Sequence, residues 1–404
     1  MSPVEPSRPV GPLQLLALGV NGIVGVGIFF ASAAVAASAP AFASVWVFLL
    51  TGLAVVPVAF AFAVLGRRFD EDGGPVVFAR AAFGDLTSFV VGWVAYVSAF
   101  LSTSAVMAGL TRAMAPALGL IVATGIRISA RTWTVLTVLK LLPLFALLAA
   151  FLAFGARVPA PTPTRVEVTW LSAGLAAMFT YQGFEIVPVI AGQVRGSARS
   201  IPFATVGSLL FAILLYVGLV WACVSALPGL AGEATPLAAA ARVHGGAPLS
   251  RIVGWGTNLS SLGICFGMMV TTPRYLSALA SGARDLFGMD RFNARDVPMR
   301  ALLVTWVIVT GFVNAVDPNE LFKLSSIAVL AQYGVSAAAL AALSLRRQRG
   351  FVPAHAVLAV PTIALGVVLT FGATAREGLV ALVAVLAGLG LAAAARPRAE
   401  AHPP

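Results

Sequence analysis

Charged side chains are scarce in this chain. Only 10% of its 404 residues are Asp, Glu, Lys or Arg, against 59% that are hydrophobic. A soluble domain is nearer a quarter charged. That shortage excludes a water-covered globule, because no soluble core of this size could hide so much apolar surface. Cysteine is nearly absent: Cys223 and Cys265 stand in separate apolar runs, which excludes a disulfide framework and cysteine-based zinc spacing. The three histidines (His244, His355, His402) are scattered, so no histidine metal site and no metal cofactor is expected. Lysine occurs only at Lys140 and Lys323, and the other basic residues are arginines. The net charge of +11 does not mark a nucleic-acid binder, because the arginines punctuate the apolar runs instead of forming one basic domain. No acidic pair, metal cluster or nucleophile–base pairing falls among these runs, which argues against an enzyme.

What the chain has in abundance is length of hydrocarbon. Crossing about 30 Å takes about 20 residues, and eleven runs meet that requirement: 12–37, 41–66, 84–111, 131–156, 168–193, 201–230, 250–273, 299–316, 319–345, 352–372 and 377–396. The expected organisation is an N-terminal cytoplasmic tail (1–11), a transmembrane domain (12–396) and a C-terminal tail (397–404). The first run lacks an A-x-A cleavage site and reads as a span, not a signal peptide. A further segment, 113–126, rises only about 21 Å as a helix. Charge bias nevertheless prefers that it cross. With the N-terminus inside, most arginines then fall on the cytoplasmic side, whereas leaving it uncrossed inverts every later loop.

Two runs are interrupted. The first reads Asn21-Gly22-Ile23-Val24-Gly25-Val26-Gly27-Ile28-Phe29, and the fifth reads Phe179-Thr180-Tyr181-Gln182-Gly183-Phe184-Glu185 with Pro188 a turn later. Glycine frees the backbone from helical geometry and proline removes a donor. Unwound backbone at membrane depth survives only where protein or a watery cavity satisfies it. Broken helices at matching places in two halves point to a transporter's central site. With the short piece counted, these are spans one and six, the spacing of a five-plus-five inverted repeat. The plainer alternative is that the glycines serve close helix packing.

Several stretches carry a family likeness. Gly25-Val26-Gly27-Ile28-Phe29, Arg67-Arg68-Phe69 through Gly73-Gly74, Ala82-Phe83-Gly84 with Gly92-Trp93, Gly125-Ile126-Arg127-Ile128-Ser129-Ala130 with Val138-Leu139-Lys140-Leu141-Leu142-Pro143, and Gly183-Phe184-Glu185 through Arg199, Ile201 and Pro202 occur in order. At these residues the sequence resembles the amino acid–polyamine–organocation transporters of the amino acid permease type, departing from them where most of a fourth span is missing between Leu110 and Gly125. The resemblance implies an all-α integral membrane protein, a leucine-transporter-like inverted-repeat bundle with two broken helices, its fourth span short or missing. It also implies a secondary transporter in the cytoplasmic (inner) membrane that moves an amino acid or related amine by alternating access, in proton-coupled symport or exchange. A non-transporting sensor or degenerate paralogue is the alternative, motivated by the short fourth span.

The same resemblance places substrate at Ile23, Gly25, Val26, Gly27, Phe179, Gln182 and Gly183. The physics agrees: amides of Gly25, Val26 and Gly27 at a helix N-terminus suit a carboxylate, and freed carbonyls near Ile23, Phe179 and Gln182 suit an ammonium group. Gln182 reads a polar substrate group or satisfies a neighbouring helix, and Phe179 is a gate or a core ring. Lys140 stands nine residues into its span, where a charge is expensive. A lysine, unlike arginine, can give up its proton when buried. In sodium-coupled relatives this place holds sodium, so protons are the expected coupling ion; a structural cation on freed carbonyls is the other reading. Glu185, the one acid well inside a span, either takes a proton or braces the broken helix. With no other pocket acid for a cationic side chain, the expected substrate is neutral.

Overall fold

A computed structural model describes residues 10–69, 72–110, 114–124, 130–155, 167–281, 284–285, 287–295, 297–394 and 396–397. The expected tails and the motif at Gly125–Ser129 therefore lie mostly outside the described residues. What is described is an all-helical bundle of the membrane-transporter type, as the sequence implies. The only strands among these residues are two-residue pieces, Arg284–Asp285 and Arg396–Pro397, paired antiparallel.

Helix α1 (Pro12–Ile23) starts on a proline, whose missing N–H costs nothing at that position. It is followed after Val24 and Gly25 by α2 (Val26–Ser38), bent about 41° from it. Then come α3 (Phe42–Gly66), α4 (Pro75–Phe83), α5 (Asp85–Leu110), α6 (Met114–Ala123) and α7 (Ala130–Phe154). The run at 168–193 does not form one helix. It gives α8 (Trp170–Met178), a 3-10 turn (Phe179–Tyr181) and the single-turn α9 (Ile186–Val189). Beyond it lie α10 (Ser197–Ala226), α11 (Pro236–Ser281, broken at Gly246), α12 (Met299–Ala315), α13 (Pro318–Leu345), α14 (Ala359–Thr370, entered through the 3-10 turn Pro353–Leu358) and α15 (Ala375–Ala394). Eight of the described helical stretches are long and apolar enough to cross a membrane, nine with α1 and α2 taken as one bent span.

Helix α6 is the short fourth piece. Its ten residues rise about 15 Å, half the hydrocarbon thickness. Gly119 gives the Trp306 ring of α12 room to lie directly against it.

The buried apolar side chains fall into two main groups. One draws on α2, α3, α8, α10 and α14, the other on α5, α11, α12 and α15. Helix α13 feeds both, giving Tyr333 to the first and Leu321 and Phe322 to the second. The 3-10 turn straddles the same seam, with Tyr181 on one side and Phe179 on the other. The second break therefore meets α13 where the two halves of the interior join.

Candidate functional site

At the first break Val24 N–H still reaches Val20 O at 2.8 Å, and Gly25 N–H folds back onto Ile23 O at 2.7 Å. Val26 and Gly27 then open α2, where first-turn amides have no intrahelical acceptor. The carbonyls released at the end of α1 are not idle. Tyr216 of α10 donates its hydroxyl to Ile23 O at 2.7 Å, and Lys140 of α7 donates to Asn21 O at 2.9 Å. The Ile23 carbonyl thus holds a tyrosine that sequence reasoning did not foresee.

At the second break Gln182 is extended and Gly183 takes φ +118°, a backbone region closed to side chains. Gly183 N–H donates to Glu185 Oε2 at 2.8 Å, and Tyr333 of α13 donates to the same oxygen at 2.9 Å. Glu185 therefore braces the turn and ties it to α13. Gln182 spends both ends of its amide on α13. Its nitrogen donates to Ser326 Oγ at 3.3 Å, and its oxygen accepts from Ser325 Oγ at 3.1 Å. Ser325 also pairs with Ser102 of α5 at 2.6 Å, so a hydroxyl chain runs from the break through α13 to α5.

The breaks touch each other. A methyl group on Gly22 would lie 2.7 Å from the Gly183 carbonyl oxygen, and one on Gly183 would lie 2.8 Å from the Ile23 nitrogen. Gly27 meets the second break as closely, since a Cβ there would sit 3.1 Å from Thr180 Cα. Ile23, Gly25, Gly27, Phe179, Gln182 and Gly183 are thereby gathered at one junction, with the backbone of Val26 beside them.

Lys140 stands against the same junction from another side. It is 3% exposed, and no carboxylate pairs with it among the described residues. Its neighbourhood is the contact of α7 with α11, where Gly256 admits Pro143. Further along α11, Ser260 and Ser261 keep buried hydroxyl oxygens without a partner, and the Ile264 side chain reaches Gly25. Glu185 lies at the other break, held by the bonds already named, so the structure does not pair the two expected proton carriers.

A cavity of about 230 Å³ opens between α2, the segment Ala231–Ala234 and the start of α13. Phe322 belongs to its lining and packs against Phe179, with ring centroids 4.6 Å apart and the planes tilted by 43°. The pair connects the cavity wall to the second break, which Phe179 begins. Sequence reasoning named Phe179 but missed Phe322, Tyr216, Tyr333, Ser102, Ser325 and Ser326. The available signal was the hydroxyl runs Ser102-Thr103-Ser104 and Ser325-Ser326 inside otherwise apolar spans.

Comparison with known proteins points the same way. The sequence model of the family described as Amino acid permease matches residues 10–124 and 117–389. An uncharacterized transporter of Mycobacterium tuberculosis is 30% identical over 371 residues, covering 86% of this chain and 83% of the relative. The L-methionine/branched-chain amino acid exporter of Escherichia coli is 27% identical over 77% of this chain and 80% of its own length. The L-lysine transport protein of Corynebacterium glutamicum is also 27% identical, over 80% of this chain and 71% of its own. With two broken helices joined at one seam and a family match along nearly its whole length, the chain belongs to the amino acid permease family of the amino acid–polyamine–organocation superfamily.

Proposed function

We propose that the protein is a secondary active transporter that carries a neutral amino acid or related amine across the cytoplasmic membrane by alternating access, with protons as coupling ion. The N-terminus is assigned to the cytoplasm because the arginine-rich loops then lie inside. The observation that carries the reading is the direct contact of the two breaks at Gly22 and Gly183, which puts a fresh helix N-terminus and an unwound segment at one point. Val26 and Gly27 offer amide hydrogens to a carboxylate there, and Gly25 N–H adds to them on leaving Ile23 O. The carbonyls of Phe179 and Gln182 accept from the ammonium group, and Ile23 O, which already accepts from Gly25 N–H and Tyr216, joins them when the Gly25 bond opens.

The relatives' names span neutral and cationic amino acids, so this chain's own residues decide the substrate class. Glu185 is committed to Gly183 and Tyr333, and no other carboxylate stands at the breaks among the described residues. This supports a neutral substrate. The Gln182 amide, held by Ser325 and Ser326, gives the pocket a fixed polar wall.

For coupling, the protonated Lys140 clamps α1 to α7 through Asn21 O. A neutral amine donates more weakly and loosens that clamp, so the proton on Lys140 biases the position of α1. Glu185 is the second proposed proton site, on the α13 side.

The test is uptake by purified protein in proteoliposomes under an imposed proton gradient, with candidates first screened by thermal shift over the twenty amino acids and common polyamines. Gradient-driven accumulation of a neutral amino acid is the expected result. Ligand binding without movement would instead favour a sensor, the reading that the short α6 keeps in play.

A further inference from the structure

The end of α3 carries a basic group that the transport reading does not use. Arg67 and Arg68 follow the last helical residue, in the neighbourhood of the His355 imidazole at the approach to α14. A methyl on Gly350, in the turn after α13, would lie 3.2 Å from an Arg68 Nη atom. Phe69, Phe351 and His355 complete the contact through a row of rings, with centroids 6.3 Å apart at each step. Three membrane helices thus end or begin around one cationic cluster.

No acid answers this charge among the described residues. Asp72 accepts from Gly192 N–H at 3.0 Å on the side of the second break. Asp70 and Glu71 lie outside the described residues, and no ion pair involves Arg67 or Arg68 among those that are described. The Arg67 Nε–H is buried without a partner, which is costly for a group of a charged side chain. Val352 N–H donates to His355 Nδ1 at 3.3 Å, so the imidazole keeps its remaining N–H on Nε2. Two guanidinium groups and a neutral imidazole N–H thus stand together with no carboxylate paired to them among the described residues.

The surface beside the cluster is apolar. Val352 is 47% exposed, and Val357 and Val360 on the following turns are about 70% exposed. In a membrane protein such side chains face acyl chains. A cationic cluster at the end of three spans, continued by bare valines along one of them, matches a single molecule with an anionic head and an apolar tail.

We propose that Arg67, Arg68 and His355 form a binding site for the phosphate headgroup of an anionic phospholipid, whose acyl chain runs along Val357 and Val360. The plainer account has the arginines complementing the negative end of α3. It leaves the buried Arg67 donor unmade and does not explain why His355 is brought to the same point.

The experiment is native mass spectrometry of the full-length protein after exchange out of a one-to-one mixture of phosphatidylglycerol and phosphatidylcholine. Phosphatidylglycerol is expected to be retained selectively. Arg68→Gln should lower its retention about fivefold, the effect of one arginine at a lipid surface. His355→Gln should also lower it, and Arg68→Lys should keep most of it. Arg68 is exposed, so its variants are expected to fold, and an unchanged gel-filtration profile checks this. Equal retention of the two lipids would overturn the proposal, as would undiminished retention by Arg68→Gln and His355→Gln together. Displacement of the lipid by inorganic phosphate at equal concentration would assign the site to a soluble anion and overturn it too.

Discussion

Gly22 and Gly183, 161 positions apart in sequence, are in backbone contact, with room at neither for a single added methyl group. The approach lets one unwound segment lie on the other, and it makes both positions intolerant of any side chain. Packing alone would ask only for small residues; the positive φ at Gly183 asks for glycine itself.

Gly183→Ala should therefore abolish uptake and destabilise the protein by about 1–3 kcal/mol from backbone strain, before any clash is counted. Gly22→Ala, whose own backbone is helical, should lose uptake mainly through the clash with the Gly183 carbonyl oxygen. Melting temperature and proteoliposome uptake, measured together, separate the two causes. Wild-type uptake by Gly183→Ala would mean that the contact has no part in transport.

Lys140→Ala should flatten the pH dependence of uptake while leaving some exchange. In a proton symporter uptake rises as the outer pH falls, because the inward proton gradient grows. A variant without the amine has no such response. Lys140→Arg keeps a cation that does not release its proton, so it should also be pH-insensitive. A full pH response in either variant would remove Lys140 from coupling.

Gln182→Ala cuts the hydroxyl chain at its source, removing bonds to Ser325 and Ser326. Each net hydrogen bond contributes about 1 kcal/mol, so KM should rise by about an order of magnitude if the amide also fixes the pocket wall. Ser102→Ala removes only the far end of the chain and should have a smaller effect on KM. Initial-rate kinetics on both variants tests that order.

Phe322→Ala should cost about 3–5 kcal/mol of stability, as for a buried phenylalanine, and should open the path from the cavity to the breaks. Because Cys223 and Cys265 are buried, a Thr180→Cys reporter beside Phe179 in the 3-10 turn can be read against a quiet background. Its labelling by a membrane-impermeant thiol reagent should accelerate in the Phe322→Ala background. No acceleration would show that Phe179 and Phe322 do not bar the route.

Tyr333→Phe removes one donor from Glu185 and leaves Gly183 N–H as its remaining described partner. A bond to a carboxylate is worth about 1.5–3 kcal/mol, and the melting temperature should fall accordingly. An unchanged melting temperature would show that the α13 tie does not hold the second break.

Some of this was written in residue order alone. Glycines at 25 and 183 state where the backbone leaves the helix, because freedom of φ and ψ belongs to a residue whatever its neighbours are. Lys140 declared itself in the same way, as a lysine placed deep in an apolar run where its cost is plain. The scarcity of charge fixed the membrane as the solvent. Partnership was different. A serine in a helix can satisfy itself on its own preceding turn, as Ser326 does on Phe322 O at 2.9 Å, so its presence does not say whom else it meets. That Ser325 faces Gln182, that Tyr216 occupies the Ile23 carbonyl and that Tyr333 shares Glu185 with a glycine amide depend on how the helices are rotated and stacked. Conformational freedom and burial cost are properties of single residues and their near neighbours, and so are readable along the chain. Hydrogen-bond partners across 150 residues are set by packing, which only the folded bundle decides.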